Sequence, residues 1–473
     1  MIDTIIFFFL LTVIFLYGVY RSGIVRTEES YLLADRNTSL APLVATLVMT
    51  EFNPSTLVGF SALGYLGGYW ALSFPLVFLI GLIFYTFAVA SKWKRLNASS
   101  VSELFSLRYG EDLGKIASVF LILAMLGFSA NYIKSMQIIF NPFFHSIHPT
   151  LLSFLLVGIV LLITLRGGLV SIIKADTIGF LITIVLLPSI YFFSTSDSYP
   201  ISISISEGMK TLPFSFVLSL VVLTMFTYIA APWYGQKIFS AKNEKTAFLA
   251  VGISAFLVFL LYGFPVLAVY NLKRSGIVLE NPDKAISYIF NHLFPQGFKG
   301  FGYLVVLTAG VTTLSGVWSA MSTMILTDFG ATSNRKEFGY QRGMLITVFL
   351  AVISFVLSET FIDKILDKLI LANVPIASLA FGLLGAFYWE KASRTGVYIS
   401  LIFGLFWGSF CYLYFGEAGG YTFYWGVVGI PIFFIIGIIF SLLFPPSANE
   451  VKKIQEFQER MKDSSRTKET LSN

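Results

Sequence analysis

Val48-Met49-Thr50-Glu51-Phe52-Asn53-Pro54-Ser55-Thr56-Leu57 decides how this chain is read. The stretch lies inside an apolar run at about 40–65, whose midpoint falls at residue 52 or 53. A carboxylate at bilayer depth is expensive, and a mid-helix proline removes a backbone hydrogen bond. Two readings offset those costs. In one, the helix is merely kinked and Glu51 pairs with a buried base. In the other, the helix is discontinuous, and its freed carbonyls coordinate a cation while its loose ends meet a solute.

Working outward, the chain has 473 residues, 56% hydrophobic and 12% charged, with mean hydropathy +0.79. Soluble domains carry about 25% charged residues, so this is an integral membrane protein. One cysteine, Cys411, excludes an intramolecular disulfide, and the histidines (His145, His148, His292) are too scattered for a metal-ligand cluster. The formal charge of +6 does not point to nucleic acid, because the basic residues sit between apolar spans. The N-terminus has Asp3 and no basic residue before its apolar run, and no small-residue cleavage site follows. It reads as a retained first span rather than a signal peptide.

Runs of about 20 apolar residues cross the hydrocarbon core. Thirteen are expected, at 3–20, 40–65, 70–91, 115–140, 150–165, 173–195, 212–234, 247–270, 299–327, 343–359, 365–389, 395–416 and 424–444. The fifth and sixth are divided only around Arg166-Gly167-Gly168-Leu169. Eighteen Lys and Arg fall in the odd-numbered loops and six in the tail, against seven in the even-numbered loops, with Lys134 inside a span. That imbalance favours N-out and C-in. The expected division is a first helix and loop (1–37), a transport core (38–390, spans two to eleven), two peripheral helices (391–444) and a cytoplasmic tail (445–473). In the outer loop 271–298, Pro282 to Leu293 predicts a short amphipathic helix on the membrane surface.

A second interruption follows five spans after the first, at Ala230-Ala231-Pro232-Trp233-Tyr234-Gly235. Proline alone could end a helix there, but paired breaks at matching positions are the mark of inverted-repeat transporters. Span nine places Ala309, Thr312, Thr313, Gly316, Ser319, Ala320 and Thr323 on one face. Such a face suits close helix packing or a hard cation that takes uncharged oxygen ligands. Asp176 begins span six, where interfacial solvation or pairing with Lys174 competes with a functional role. Lys134 has three readings: a salt bridge to Glu51, snorkelling, or a solute carboxylate.

These residues resemble the sodium:solute symporter family, which includes sodium/proline, sodium/sugar and sodium/pantothenate carriers. The resemblance runs from about Tyr31 to Gly396 on motifs in order: Ala34-Asp35-Arg36, Gly59-Phe60-Ser61-Ala62-Leu63-Gly64-Tyr65, Val101 to Gly110, and Gly167-Gly168-Leu169 leading to Asp176. Next come Gln236-Lys237 with Ala241 to Lys245, then Asn281-Pro282-Asp283-Lys284-Ala285 with Phe294-Pro295-Gln296-Gly297. The resemblance implies a five-plus-five inverted-repeat core, all α-helical, with extra helices at both ends. It implies a sodium site with the hydroxyls of Thr312 and Thr313 and with Ala309, Met49 and Phe52, the last two through their backbone carbonyls. It places Glu51 where proline carriers have a functional Asp, and Asp176 and Ser315 at positions that form a second sodium site in some members. Gly316 lacks a hydroxyl some members carry, and Gly179 stands where a Gln is common, which weighs against that second site. Lys237 replaces the usual Arg.

The expected function is therefore sodium-coupled symport of a small polar solute (an amino acid, sugar or carboxylate) by alternating access, in a prokaryotic inner (plasma) membrane. No cofactor beyond the coupling sodium ion is expected. The solute would sit near Glu51, Asn53, Ser55, Thr56, Trp233 and Tyr234, with Lys134 as a further candidate. Proton coupling on the same fold and a sensing module that signals through a partner are the alternatives. An enzyme is disfavoured, since no nucleophile–base set appears, and paired helix breaks suit alternating access better than a channel.

Overall fold

After a first apolar helix, α1 (Ile2–Arg21), the second apolar run forms two helices, α2 (Leu40–Glu51) and α3 (Pro54–Gly67). The computed structural model describes residues 2–21, 33–329, 339–416 and 420–469. Pro54 takes the first position of α3, where its missing N–H is not needed. Asn53 caps that helix, its Oδ1 accepting from the Thr56 N–H at 2.9 Å. The discontinuous reading of this stretch is the one observed.

The next elements are α4 (Ser73–Tyr85), α5 (Ser91–Leu96), α6 (Val101–Tyr109), α7 (Glu111–Phe140) and α8 (Pro149–Phe193). At 45 residues α8 is too long for one crossing, since about 20 helical residues span the core. Its two ends meet the same end of the bundle. Near one, Ser153 bonds Gln137 at the end of α7, whose Phe140 packs on Phe7 of α1. At the other, Phe193 packs on Phe294 and Phe298, and the nearby Gly297 N–H reaches Asp3 of α1. Its apolar stretches, Pro149–Leu162 and Leu169–Phe193, are thus two crossings.

The second half repeats the broken pattern: α9 (Phe214–Tyr228) and α10 (Pro232–Ser240) flank an interruption at 229–231. Then come α11 (Glu244–Arg274), α12 (Phe298–Phe329), α13 (Gly339–Thr360), α14 (Ile365–Leu371), α15 (Val374–Ala377), α16 (Ala380–Tyr388), α17 (Arg394–Phe415), α18 (Ile430–Leu443) and α19 (Ala448–Glu469). Among the described residues, eight helices are long and apolar enough to cross a membrane, or up to ten when two bent pairs count as one span each. That is fewer than the expected thirteen partly because the break leaves α2 only 12 residues long and Pro149–Leu162 is also short.

Helix α12 is the axis of the bundle: 94% of its most apolar window is buried, against 33% for Arg342–Thr360. Leu345, Phe349, Phe406 and Leu413 on the outer helices are exposed, as lipid-facing residues are. In a bilayer the lipid is as apolar as leucine, so close approach and interhelical hydrogen bonds hold helices together. Gly64 on α3 shows the first: a Cβ there would overlap the Val266 carbonyl of α11. A two-bond clip shows the second: Thr38 N–H donates to Ser240 O (2.8 Å), and Lys242 N–H to Thr38 O (2.9 Å). The clip ties the start of α2 to the end of α10, so the two broken helices run antiparallel with their breaks facing each other.

One peripheral segment differs from expectation in detail. The helical turns at 282–293 are not spread on a membrane surface: Ala285, Ile286, Ile289 and Phe290 are fully buried within the protein. The tail helix α19 docks onto the bundle through Ile454 and Phe457, both under 9% exposed.

Candidate cation and solute site

The first break disarms three backbone carbonyls. The Asn53 N–H that would reach Met49 O goes to Glu51 O instead, at 2.9 Å. Pro54 has no N–H for Thr50 O, and the Thr56 N–H due to Phe52 O is taken by the Asn53 side chain. Met49, Thr50 and Phe52 therefore present carbonyl oxygens with no helical donor. Glu51 O is the reverse case, since Asn53 Nδ2 (3.0 Å) and Tyr262 Oη (2.6 Å) also donate to it. The break is held open by bonds, not by flexibility.

Helix α12 passes this break with the hydroxyl face read from the sequence. Thr313 Oγ1 lies 3.5 Å from Met49 O, and Thr312 Oγ1 donates to Ala309 O at 3.2 Å. Met49, Ala309, Thr312 and Thr313 are all at most 3% exposed. Of the five expected sodium-site residues, Met49 and Thr313 thus meet across α2 and α12, with Ala309 and Thr312 on the adjoining turn of α12. Phe52 stands at the open end of α2, and among the described residues no α12 donor reaches its carbonyl. The Met49 side chain turns away toward α8, where Gly179 makes room for it. A Cβ at Gly179 would come within 3.1 Å of Met49 Cε.

The solute side is a small central cavity of about 90 Å³. Its polar lining includes Thr50, Glu51, Asn53, Thr56 and Asn373, and its aromatic walls are Phe60, Phe78, Phe128, Tyr132, Tyr228 and Trp233. The Tyr228 hydroxyl, last residue of α9 before the second break, donates to Glu51 Oε2. Glu51 Oε1 is buried without a partner. The two breaks thus meet at one carboxylate.

Glu51 does not pair with Lys134, and among the described residues no Lys or Arg ion-pairs with it. Asp176 pairs neither with Lys174 nor with solvent: it is fully buried and bound to Lys237 at 3.1 Å. Lys237 Nζ also donates to Thr46 O (2.9 Å) and to the Thr50 hydroxyl, and the Thr46 hydroxyl donates to Asp176 Oδ2. Ser315 is engaged elsewhere, with Thr164 at 2.5 Å. The structure thus does not bring Asp176 and Ser315 to a common ligand set. Removing one member of a buried pair costs about 3–5 kcal/mol, whereas replacing both by apolar groups is often neutral. Lys237→Met should lower thermal stability by that amount, and Lys237→Met with Asp176→Leu should restore most of it. A thermal-unfolding double-mutant cycle in detergent checks this; additive losses would mean the pair is not coupled.

Of the expected solute residues, the structure puts Glu51, Asn53, Thr56 and Trp233 in the cavity wall. Ser55 is turned to Ser135 of α7 (2.8 Å), and Tyr234 packs edge-on against Tyr85 (ring centroids 5.1 Å) outside the lining. Lys134 does not line it either. Sequence reasoning missed Thr50, Tyr132, Tyr228 and Asn373. Only Tyr228 carried a usable signal, as the residue four before Pro232.

A family model, "Sodium:solute symporter family", matches residues 31–404. Among solved structures, a substrate-bound outward-open Na+-coupled sialic acid symporter shares 17% identity, covering 94% of this chain and 98% of its own, with TM-score 0.77. MhsT in complex with L-phenylalanine is similar at 15% identity over 86% of this chain and 99% of its own, TM-score 0.53. A manganese transporter of Eremococcus coleocola, in complex with an aromatic bis-isothiourea substituted compound, shares 11% identity over 90% of this chain and 95% of its own, TM-score 0.51. These likenesses show the fold, and the fold alone. The match over most of the chain shows that this protein belongs to the sodium:solute symporter family.

Proposed function

We propose that this chain is a sodium-coupled symporter of a small solute bearing an ammonium group, with residues 38–390 as the transport core. The observation that carries the solute class is Glu51: a buried carboxylate, one oxygen unpartnered, facing a cavity walled by six aromatic rings. A buried charge without a counter-ion is strongly unfavourable, and an aromatic cage attracts cations by about 0.5–2 kcal/mol per favourable ring. A small amine or amino acid meets both. A simple carboxylate would meet like charge, and a sugar would leave Glu51 uncompensated.

Sodium would be held by the carbonyls of Met49, Phe52 and Ala309 and the hydroxyls of Thr312 and Thr313. These are uncharged oxygens, a donor set suited to a hard monovalent cation. Bound there, the ion would fix α2 against α12 and so fix the break beside the solute. Coupling requires that sodium bind the solute-competent conformation more tightly than the other. The face bearing α6 and α19 would lie in the cytoplasm, following the distribution of Lys and Arg, and the cell would be prokaryotic.

The test is a thermal-shift screen of purified protein at fixed pH, with and without sodium, against amines, amino acids, sugars and carboxylates. A ligand at about 100 times its Kd should add about 2.7 kcal/mol of stability, and only in sodium. Shifts confined to sugars or simple carboxylates sink the ammonium assignment. The same unpartnered oxygen of Glu51 favours one second reading, proton coupling, because protonation also neutralises a buried carboxylate. Full uptake by proteoliposomes without sodium would select it.

A further inference from the structure

A second cavity, about 340 Å³, lies beneath the tail helix α19, far along the chain from either helix break. Its lining carries four basic side chains, Lys92, Arg95, Arg108 and Lys462, against one acid, Glu390. Arg95 is partly offset by Glu244 at 2.7 Å, and Glu390 accepts from Gln458 at 2.5 Å. Arg108 is different in kind. It is 1% exposed, and its Nη2 donates to the carbonyls of Glu390 and Ala392, both at 3.0 Å. The guanidinium lies over the Tyr109 ring, 4.7 Å from its centroid, and its buried Nη1 has no hydrogen-bond acceptor. A buried guanidinium nitrogen without an acceptor is destabilising, and native interiors rarely tolerate one.

The other walls supply further donors. Lys92 Nζ sits 4.3 Å over the Tyr388 ring, and Tyr388 is 56% exposed on the helix surface. Gln458 and Lys462 of α19 line the same cavity. Its size is within the range of small-ligand pockets. A guanidinium fork with two flexible ammoniums around it matches a tetrahedral oxyanion, which presents several acceptor oxygens at once. A monocarboxylate presents two oxygens in one plane, whereas a phosphate presents three or more arranged in three dimensions, which suits donors arriving from three separate elements.

We propose that this cavity is an anion site for a phosphate group, either the headgroup of an anionic phospholipid or free phosphate from the aqueous side. Occupancy would fasten α19 to α5, α6 and α16, because Lys462 of α19 would share the anion with Lys92 and Arg108. Phe457 of α19 already packs on Phe387 of α16, with ring centroids 6.2 Å apart. The site thereby links the tail to the end of the transport core, independently of the solute and sodium sites.

The experiment uses full-length protein in detergent. Its thermal midpoint is titrated with inorganic phosphate against chloride at matched ionic strength, and with phosphatidylglycerol against phosphatidylcholine in mixed micelles. The variant is Lys92→Gln with Lys462→Gln, both at the rim; Lys92→Gln alone serves if the pair does not fold. The midpoint should rise with phosphatidylglycerol or phosphate, and the variant should need at least tenfold more of the same agent. A response to phosphatidylglycerol alone assigns the membrane leaflet as source, and a response to phosphate assigns the aqueous side. No rise with either agent, or identical titrations for variant and parent, overturns the site.

Discussion

Glu51→Gln should reduce apparent affinity for the transported solute about 100-fold or more while leaving the protein folded. The size follows from the geometry. Removing the charge from one side of a buried, hydrogen-bonded ion pair costs about 2–5 kcal/mol, and each 1.4 kcal/mol is tenfold. Folding should survive because a glutamine oxygen still accepts from Tyr228, and because the break is held through Glu51's main chain by Tyr262 and Asn53, not by its carboxylate. Tyr228→Phe is the companion variant. It keeps the charge but frees the carboxylate from the second break, so its loss should be smaller, about tenfold, as for one hydrogen bond to a charged group. Uptake into proteoliposomes under a fixed inward sodium gradient reads both. Equal affinity in Glu51→Gln and the parent would remove the carboxylate from solute binding. A steep pH dependence of uptake that vanishes in Glu51→Gln would move the residue to proton coupling instead.

How much of this could be read from residues alone depends on whether a feature is local. The two breaks were legible because proline and an Asx cap act within three or four residues: Asn53-Pro54 and Pro232 announce themselves. The hydroxyl face of α12 was legible because helical periodicity is local too. Partnerships across the bundle were not. Nothing near Asp176 says that its ammonium comes from residue 237, because that bond depends on the antiparallel set of α2 and α10. The clip at Thr38 and Ser240 that creates this set joins residues about two hundred apart. Tyr228 fell out of view for the same reason: a tyrosine in an apolar helix reads as wall until the opposite break is in place. Lys134 and Ser55 illustrate the reverse error. Chemistry and depth suggested the cavity for both, but helix rotation, which one sequence specifies poorly, turned Ser55 to Ser135 and left Lys134 off the lining.

Thr312→Ala with Thr313→Ala should raise the sodium concentration for half-maximal uptake about 100-fold, with little loss of stability. Each hydroxyl is a neutral oxygen that a cation would use and that the resting fold uses weakly. Thr313 Oγ1 reaches Met49 O only at 3.5 Å, and Thr312 Oγ1 donates back to its own helix at 3.2 Å. Deleting an intrahelical hydroxyl bond of that kind costs about 0.5–1.5 kcal/mol, whereas an interaction with a charged group is worth about 1.5–3 kcal/mol. Two such losses at the ion sum to about 3 kcal/mol, which is about two powers of ten. The asymmetry is what makes the double variant informative: a structural role would show in thermal stability without sodium, and an ionic role would show in the sodium titration. Helix α12 is buried along nearly its whole length, so the comparison needs replacements that remove an oxygen without adding volume, and alanine does so. Serine at both positions restores the oxygens without the methyls and should recover sodium affinity. An unchanged half-saturation in the alanine pair, or failure of the serine pair to restore it, would place the ion elsewhere. The three carbonyls released by Asn53 and Pro54 would then need a different partner, because a break held open by this many bonds, with the Met49 oxygen facing a hydroxylated helix, is poor packing unless something cationic completes it.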